Sequence, residues 1–227
     1  LEVLKDSSKL NPEVRKYLEE ENAYTKFQMK DTEQFQKKLF KEIKGRIKLD
    51  DESLHFFYKN DGWEYWTKTT KENNYSILLR KKMDDSKDKA EEYWNGDKEK
   101  KKLGASYFGV GDLSVSYDHS LLGYSLDLNG SEYYTIHIRR ITDEKIVTER
   151  IKNTSGGITF SKDSKYIFYT LLNSKHQPKK VLKHKIGSSQ KKDELIYEEK
   201  DERFTVGMGG LTTDEKFFLI ITSDHST

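Results

Sequence analysis

The chain has 227 residues, with 41 Lys+Arg against 39 Asp+Glu and a formal net charge of +2. That balance is too even to create the one-signed field that draws in nucleic acid or an anionic membrane. Charged residues make up 35% and hydrophobic residues 33%, yet aromatics reach 12%, so the core is thin but rich in rings, and a disordered chain is excluded.

There is no Cys and there are only 2 Pro, which excludes disulfides, thiolate metal sites, a cysteine nucleophile and Pro-rich linkers. No apolar run approaches the length that spans a bilayer. The chain opens Leu-Glu-Val-Leu-Lys-Asp, without Met and without the apolar core of a signal peptide. These features lead to the expectation of a cytoplasmic protein and of an internal piece of something longer, or a chain whose start is missing.

The first elements are helices. Asn11-Pro12-Glu13 combines an N-cap, a proline at the first helical position and an acid at the positive end. Val14, Tyr17, Leu18, Tyr24 and Phe27 then share a face at helical spacing. Asp31-Thr32-Glu33-Gln34 reads as a capping box, Phe35, Leu39 and Ile43 form a second stripe, and Gly45 stands in the C′ position. Two such amphipathic helices have nothing of their own to bury against and must dock on another body.

After Gly45 the period changes to two. Strands are expected at 54–58, Trp63 to Thr69, Tyr75 to Lys82 and 90–94, with turns at Asn60-Asp61-Gly62 and Asn73-Asn74. A polar loop, Met83 to Lys89, precedes the fourth strand. Gly96 to Lys102 is a lysine-rich connector that either stays a loop or forms a short helix.

An internal repeat follows. Leu113 to Ser125, Ile158 to Thr170 and Leu211 to Ile221 each read strand, tight turn, strand. Asp118, Asp163 and Asp214 occupy equivalent turn positions, 45 and 51 residues apart, with Ser116, Ser161 and Thr212 two residues before them. The Asp carboxylate can accept from backbone amides two residues on and close each hairpin. Strands Tyr133 to Arg139 and Lys145 to Arg150 follow the first copy, and Lys180 to Ile186 and Glu194 to Tyr197 follow the second. Four antiparallel strands recurring at this period are the pattern of propeller blades. A β-sandwich with similar hairpins is the competing architecture.

The expected fold is therefore mainly β: an incomplete β-propeller of four-stranded antiparallel blades behind a two-helix arm. The arm takes residues 1–45 and the partial propeller 46–227. Within it, blade one spans 46–103, blade two 104–152 and blade three 153–203, and 204–227 starts a fourth. Closed propellers have roughly 4–8 blades, so this arc is expected to meet a partner.

No catalytic, cofactor-binding or metal-binding residue is assigned. Asp118-His119-Ser120 and Asp224-His225-Ser226 juxtapose triad residue types, but neighbours on a strand point to opposite faces. There is no Gly-x-Ser-x-Gly elbow. Thr154-Ser155-Gly156-Gly157 and Gly207-Met208-Gly209-Gly210 each lead into an inner strand, where Gly allows close packing near the propeller axis, and no helix follows to make them phosphate loops. His55, His119, His137, His176, His184 and His225 lack ligand spacing, although His176 and His184 lie across a hairpin. The basic run Lys98 to Lys102 and the acidic runs Asp50 to Glu52 and Glu198 to Glu202 read as solvated connectors.

Taken in order, several segments resemble one family. They are Leu4-Lys5-Asp6 with Asn11-Pro12-Glu13-Val14, Tyr17 to Tyr24, Leu39 to Ile47, Tyr166 to Thr170, His176-Gln177-Pro178, Val181 to Gly187 and Asp193 to Phe204. Together they resemble the N-terminal part of the oligopeptidase B (protease II) branch of the prolyl oligopeptidase family of serine peptidases. Leu4 stands where that pattern has Trp, and Lys179-Lys180 where it has an aromatic-basic pair.

The resemblance implies a two-part enzyme. A propeller of seven blades caps an α/β-hydrolase domain carrying Ser, Asp and His, and admits short peptides that are cut after Lys or Arg. It implies that this chain holds about half of that propeller, that the arm packs on the hydrolase domain, and that the hydrolase domain, the chain's expected partner, lies C-terminal to it. No triad residue maps to this sequence, so the chain is expected to be inactive alone, with no cofactor. Its expected contacts are that domain and short basic peptides, not nucleic acid or membrane. A hinge is expected at Ile47 to Glu52. The alternative function is a non-enzymatic propeller that binds peptides or proteins.

Overall fold

Alternating side chains rule the chain from Asp51 onward, and the computed structural model turns that alternation into three antiparallel sheets, the middle one made of two strand groups. It describes residues 10–57 and 62–224. Leu4-Lys5-Asp6, the Asn60-Asp61 turn, Tyr58 and His225-Ser226 lie outside the described residues.

Helix α1 spans Pro12–Gln28, and the Asn11 carbonyl Oδ1 accepts from the Glu13 amide at 2.8 Å, the expected cap. Helix α2 spans Glu33–Gly45. Its start differs from a capping box. Lys30–Thr32 forms a 3-10 turn, the Thr32 hydroxyl donates back to the Met29 carbonyl at 2.7 Å, and Gln36 donates to Thr32 Oγ1. The hydroxyl is thus spent on the preceding turn rather than on the amides of α2. Gly45 is the last helical residue rather than C′, and Arg46 follows in right-handed conformation at φ −85°. Neither helix contains a buried residue, and Phe27, Phe35 and Phe40 are 74%, 63% and 67% exposed.

The first sheet contains β1 (Asp51–Glu52), β2 (Phe56–Phe57), β3 (Trp63–Thr69), β4 (Ile77–Lys82) and β5 (Glu91–Asn95). Both β1 and β2 pair with β3, so the expected single strand at 54–58 is instead a broken inner edge. Strand β4 starts two residues later than expected, because Asp97 Oδ2 accepts the amides of Asn74 and Tyr75, each at 3.0 Å. Helix α3 (Gly96–Leu103) resolves the lysine-rich connector. Asn95 caps it through Lys98 N, and Gly104 ends it at φ +61°, the left-handed stop that glycine adopts without steric cost.

The second group is β6 (Gly109–Val115), β7 (Leu121–Asp127), β8 (Tyr134–Arg140) and β9 (Ile146–Thr154). The third is β10 (Thr159–Phe160), β11 (Tyr166–Leu172), β12 (Pro178–Lys185) and β13 (Glu194–Glu198). These groups were expected as separate sheets. They are joined by one pair, Leu171 opposite Thr154, so the ladder runs through eight strands. Strands β14 (Thr205–Leu211) and β15 (Phe218–Ser223) form a terminal hairpin.

The two faces of the second group define the core. Leu122, Tyr124 and Leu126 on β7 pack with Tyr65, Tyr93, Trp94 and Phe108 of the first unit and its connector. On β8 and β9, Ile136, Ile138 and Ile151 pack with Ile158, Phe160, Ile167 and Tyr169 of the third. A strand period of two thus feeds two separate cores and stacks the groups face to face. Burial of a large side chain contributes roughly 1.5–3 kcal/mol, and these two clusters hold most of the fully buried ones.

Candidate functional site

The three repeated turns are built alike. Ser116, Ser161 and Thr212 each donate to the carboxylate two residues on, at 2.6 Å in every case. Asp118, Asp163 and Asp214 accept the amides of Ser120, Lys165 and Lys216 at 3.1, 3.1 and 3.2 Å. The same hydroxyls accept the amides of Leu121, Tyr166 and Phe217. Between Asp and the second strand stand His119, Ser164 and Glu215 at φ 59°, 55° and 58°, left-handed positions that the turn holds in place. Hydrogen bonds from the neighbouring hydroxyl and amide hold Asp163 and Asp214 below the usual carboxylate range. Asp118 is held low too: burial pushes it up, but donors from Ser116, Ser120 and Ser164 outweigh that.

These turns are coupled to one another. Ser164 Oγ accepts the Asp118 amide at 3.1 Å, tying the second turn to the first. Lys162 pairs with Glu215 at 3.1 Å, tying the second to the third. Arg80 of the first sheet donates to the His119 carbonyl while its guanidinium lies 4.4 Å from the Trp63 ring centre. The result is one continuous rim of turns along the stacked groups.

The structure disperses the triad types at Asp118-His119-Ser120. The carboxylate serves its own turn, and the imidazole, buried between sheets, stacks on Trp63 at 5.5 Å and bonds the Tyr65 hydroxyl through Nδ1. At the other occurrence only Asp224 lies among the described residues.

The remaining histidines each have a different neighbour. His55 bonds Glu64 at 2.9 Å and stacks on Trp66, and His137 stacks on Tyr124. His176 sits edge-on to Tyr133, and His184 bonds Asp193 at 2.7 Å. His176 precedes β12, whereas His184 sits near the far end of that strand, opposite Ile167, and the two do not meet. Among the described residues no three His, Asp or Glu side chains are grouped for a metal ion.

The second glycine stretch differs from its expected role. A Cβ on Gly209 would meet Ile221 Cδ1 at 2.9 Å and Leu219 Cβ at 3.0 Å, both in its own hairpin, whereas one on Gly207 would meet nothing within 4 Å. The crowding therefore comes from the bulge between Met208 and Gly210 rather than from an axis. Gly156 turns the chain at φ +99° beneath Tyr134.

Several ties carry no periodic signal in the sequence. Arg139, 3% exposed at its side chain, pairs with Glu99 of α3 and donates to the Tyr93 carbonyl. Lys179, at the position that departs from the aromatic-basic pattern, is buried and donates to the carbonyls of Asp201 and Phe204. Asp193 links His184 and the Tyr169 hydroxyl across β11, β12 and the start of β13, and the buried His184 Nε2 has no partner among the described residues. The basic run Lys98 to Lys102 lies on α3, where Lys98 and Lys102 pair with Glu92 and Glu144. At the arm junction Asp50 accepts the Lys71 amide, Asp51 holds Lys48, and Glu52 holds Lys87.

Over residues 3–227 the chain matches the family model described as prolyl oligopeptidase, N-terminal beta-propeller domain. The "Dipeptidyl aminopeptidase BI" of Pseudoxanthomonas mexicana is 32% identical over 96% of this chain and 31% of its own length. "Protease 2" of Moraxella lacunata is 28% identical over 96% of this chain and 32% of its own. Two solved structures superpose on 96% of the chain and 30% of theirs. Oligopeptidase B from Leishmania major has TM-score 0.79 and 25% identity, and oligopeptidase B from Trypanosoma brucei, a closed form with covalently bound antipain, has 0.78 and 26%. The chain thus spans less than a third of the length of these relatives.

Proposed function

We propose a function from one premise: the chain belongs to the prolyl oligopeptidase family, as its N-terminal β-propeller domain. It serves as the N-terminal and propeller portion of an oligopeptidase-B-like serine endopeptidase that hydrolyses short peptides after Lys or Arg. The bond chemistry belongs to an α/β-hydrolase domain expected C-terminal to these residues. The propeller limits which substrates reach it and encloses the reaction from bulk water. The observation that carries this reading is the superposition on oligopeptidase B over 96% of the chain.

The fold supports the division of labour. Residues 46–103, 104–152, 153–203 and 204–227 are taken as successive blades, about half of a ring of seven, and the arm 1–45 as the strap that packs on the hydrolase domain. Both helices of that arm leave their aromatic side chains uncovered. Closure pivots at Ile47 to Glu52, where three acids are already tied to Lys48, Lys71 and Lys87. Cytoplasmic location goes with this reading.

A second reading, release of dipeptides from a free N-terminus, is favoured by the 32% identity to the dipeptidyl aminopeptidase. The chain joined to an oligopeptidase B hydrolase domain separates the two. Cleavage of an N-terminally blocked arginyl peptide, with no cleavage of the same sequence inside a folded protein, supports the gated endopeptidase. Cleavage only of the unblocked peptide supports dipeptide release. A non-enzymatic binding propeller is left if neither peptide is cut.

A further inference from the structure

Beyond the turn rim lies an open cavity of about 760 Å³ between α3 and the outer half of β7, β8 and β9. Ligand pockets run from roughly 300 to 1,000 Å³ and combine apolar walls with a few placed polar groups. Its floor is the register pair Tyr124 and His137, with rings 5.1 Å apart and 14° from parallel. Leu103 and Ile146 flank it.

The charges around this floor are unevenly satisfied. Glu99 is held by Arg139, Glu144 by Lys102 at 3.4 Å, and Asp127 by the amides of Asn129 and Glu132. The two glutamates are thus paired with cations, and Asp127 is held by neutral donors of its own turn. Arg150 and Lys152, two positions apart on the same face of β9, line the cavity, and neither pairs with a described residue. Buried Arg139 has an Nε without a hydrogen-bond partner among the described residues.

The His137 ring nitrogens also bond no described residue. Burial first, and the nearby Arg150 charge second, lower the His137 pKa to about 4, so the ring is neutral near pH 7. The Arg150 charge that disfavours an imidazolium favours an anion, whereas burial disfavours a charge of either sign, so the carboxylate belongs at the exposed Arg150 and Lys152 end.

We propose that this cavity binds a small organic carboxylate, its apolar or aromatic body against Tyr124 and His137 and its carboxylate held by Arg150 and Lys152. A guanidinium fork matches a carboxylate in shape, and charge-assisted bonds of this kind are the strong ones.

The test uses the 227-residue chain titrated with 3-phenylpropionate, its uncharged amide and inorganic phosphate, followed by calorimetry and by the His137 ring signals in NMR. Saturable binding of 3-phenylpropionate that moves those signals is expected, with neither amide nor phosphate saturating over the same range. The double variant R150A/K152A, exposed at both positions, is expected to bind at least about tenfold more weakly with an unchanged melting temperature. R150Q alone supplies the comparison if the double variant melts early. Absence of saturation by the carboxylate, equal affinity for phosphate, or undiminished binding in the variant that keeps its melting temperature overturns the proposal.

Discussion

Replacing Asp193 by alanine is the sharpest perturbation of the third strand group. Its carboxylate is 1% exposed and the His184 side chain 0%. It accepts from His184 Nδ1 at 2.7 Å and from the Tyr169 hydroxyl at 2.8 Å, joining three strand segments. Burial, reinforced by that bond, pushes the Tyr169 hydroxyl pKa up. The alanine variant leaves the imidazole without a partner in the core and the phenol with Gln190 alone. Removing one member of a buried polar pair costs about 3–5 kcal/mol. For a chain of this size each kcal/mol shifts the melting temperature by roughly 2–4 °C, so a fall of about 6–20 °C is expected. Tyr169→Phe removes one bond only and is expected to cost about 1–2 kcal/mol. Circular-dichroism melts and urea titrations of both variants measure this. An alanine variant within about 1 kcal/mol of the parent would refute the claim that this network holds β11, β12 and β13 together.

Ser161→Ala removes the donor to Asp163 and the acceptor for Tyr166 and is expected to cost about 1–2 kcal/mol in urea unfolding; Thr212→Ala, in the more exposed hairpin, is expected to cost less. With His137 at about 4 when folded against an ordinary 6.5, the unfolded chain binds more protons between those values. Stability is therefore expected to rise with pH from about 4 to about 6.5, by about 3 kcal/mol at most, and His137→Phe is expected to flatten that rise. Phe35→Ser with Phe40→Ser is expected to change stability by less than about 0.5 kcal/mol, since both rings are exposed. The same pair is expected to weaken docking on the hydrolase domain, measured by co-purification.

What could be read in advance had local chemistry behind it. The turn hydroxyl and carboxylate at Ser116-Asp118, Ser161-Asp163 and Thr212-Asp214 bond within two to five residues, so spacing alone locates them. The cap at Asn11 is equally local. The start of α2 is ambiguous in the sequence because Thr32 can serve either the turn before it or the helix after it, and in the fold its hydroxyl goes to the Met29 carbonyl. The ties that join groups were not legible. Tyr65 meets His119 across 54 residues and Arg139 meets Glu99 across 40, separations that no periodicity encodes. The cavity residues were hidden for the same reason: Arg150 and Lys152 look like ordinary polar positions of an alternating strand until α3 is seen to leave their face open.

The most direct test of the family role is to mix this chain with a separately produced oligopeptidase B hydrolase domain and follow hydrolysis of a short arginyl peptide. Turnover is expected in the mixture and in neither part alone. Hydrolysis by this chain by itself, or a mixture in which the two parts neither associate nor cleave, would contradict its role as the propeller portion of a two-part peptidase.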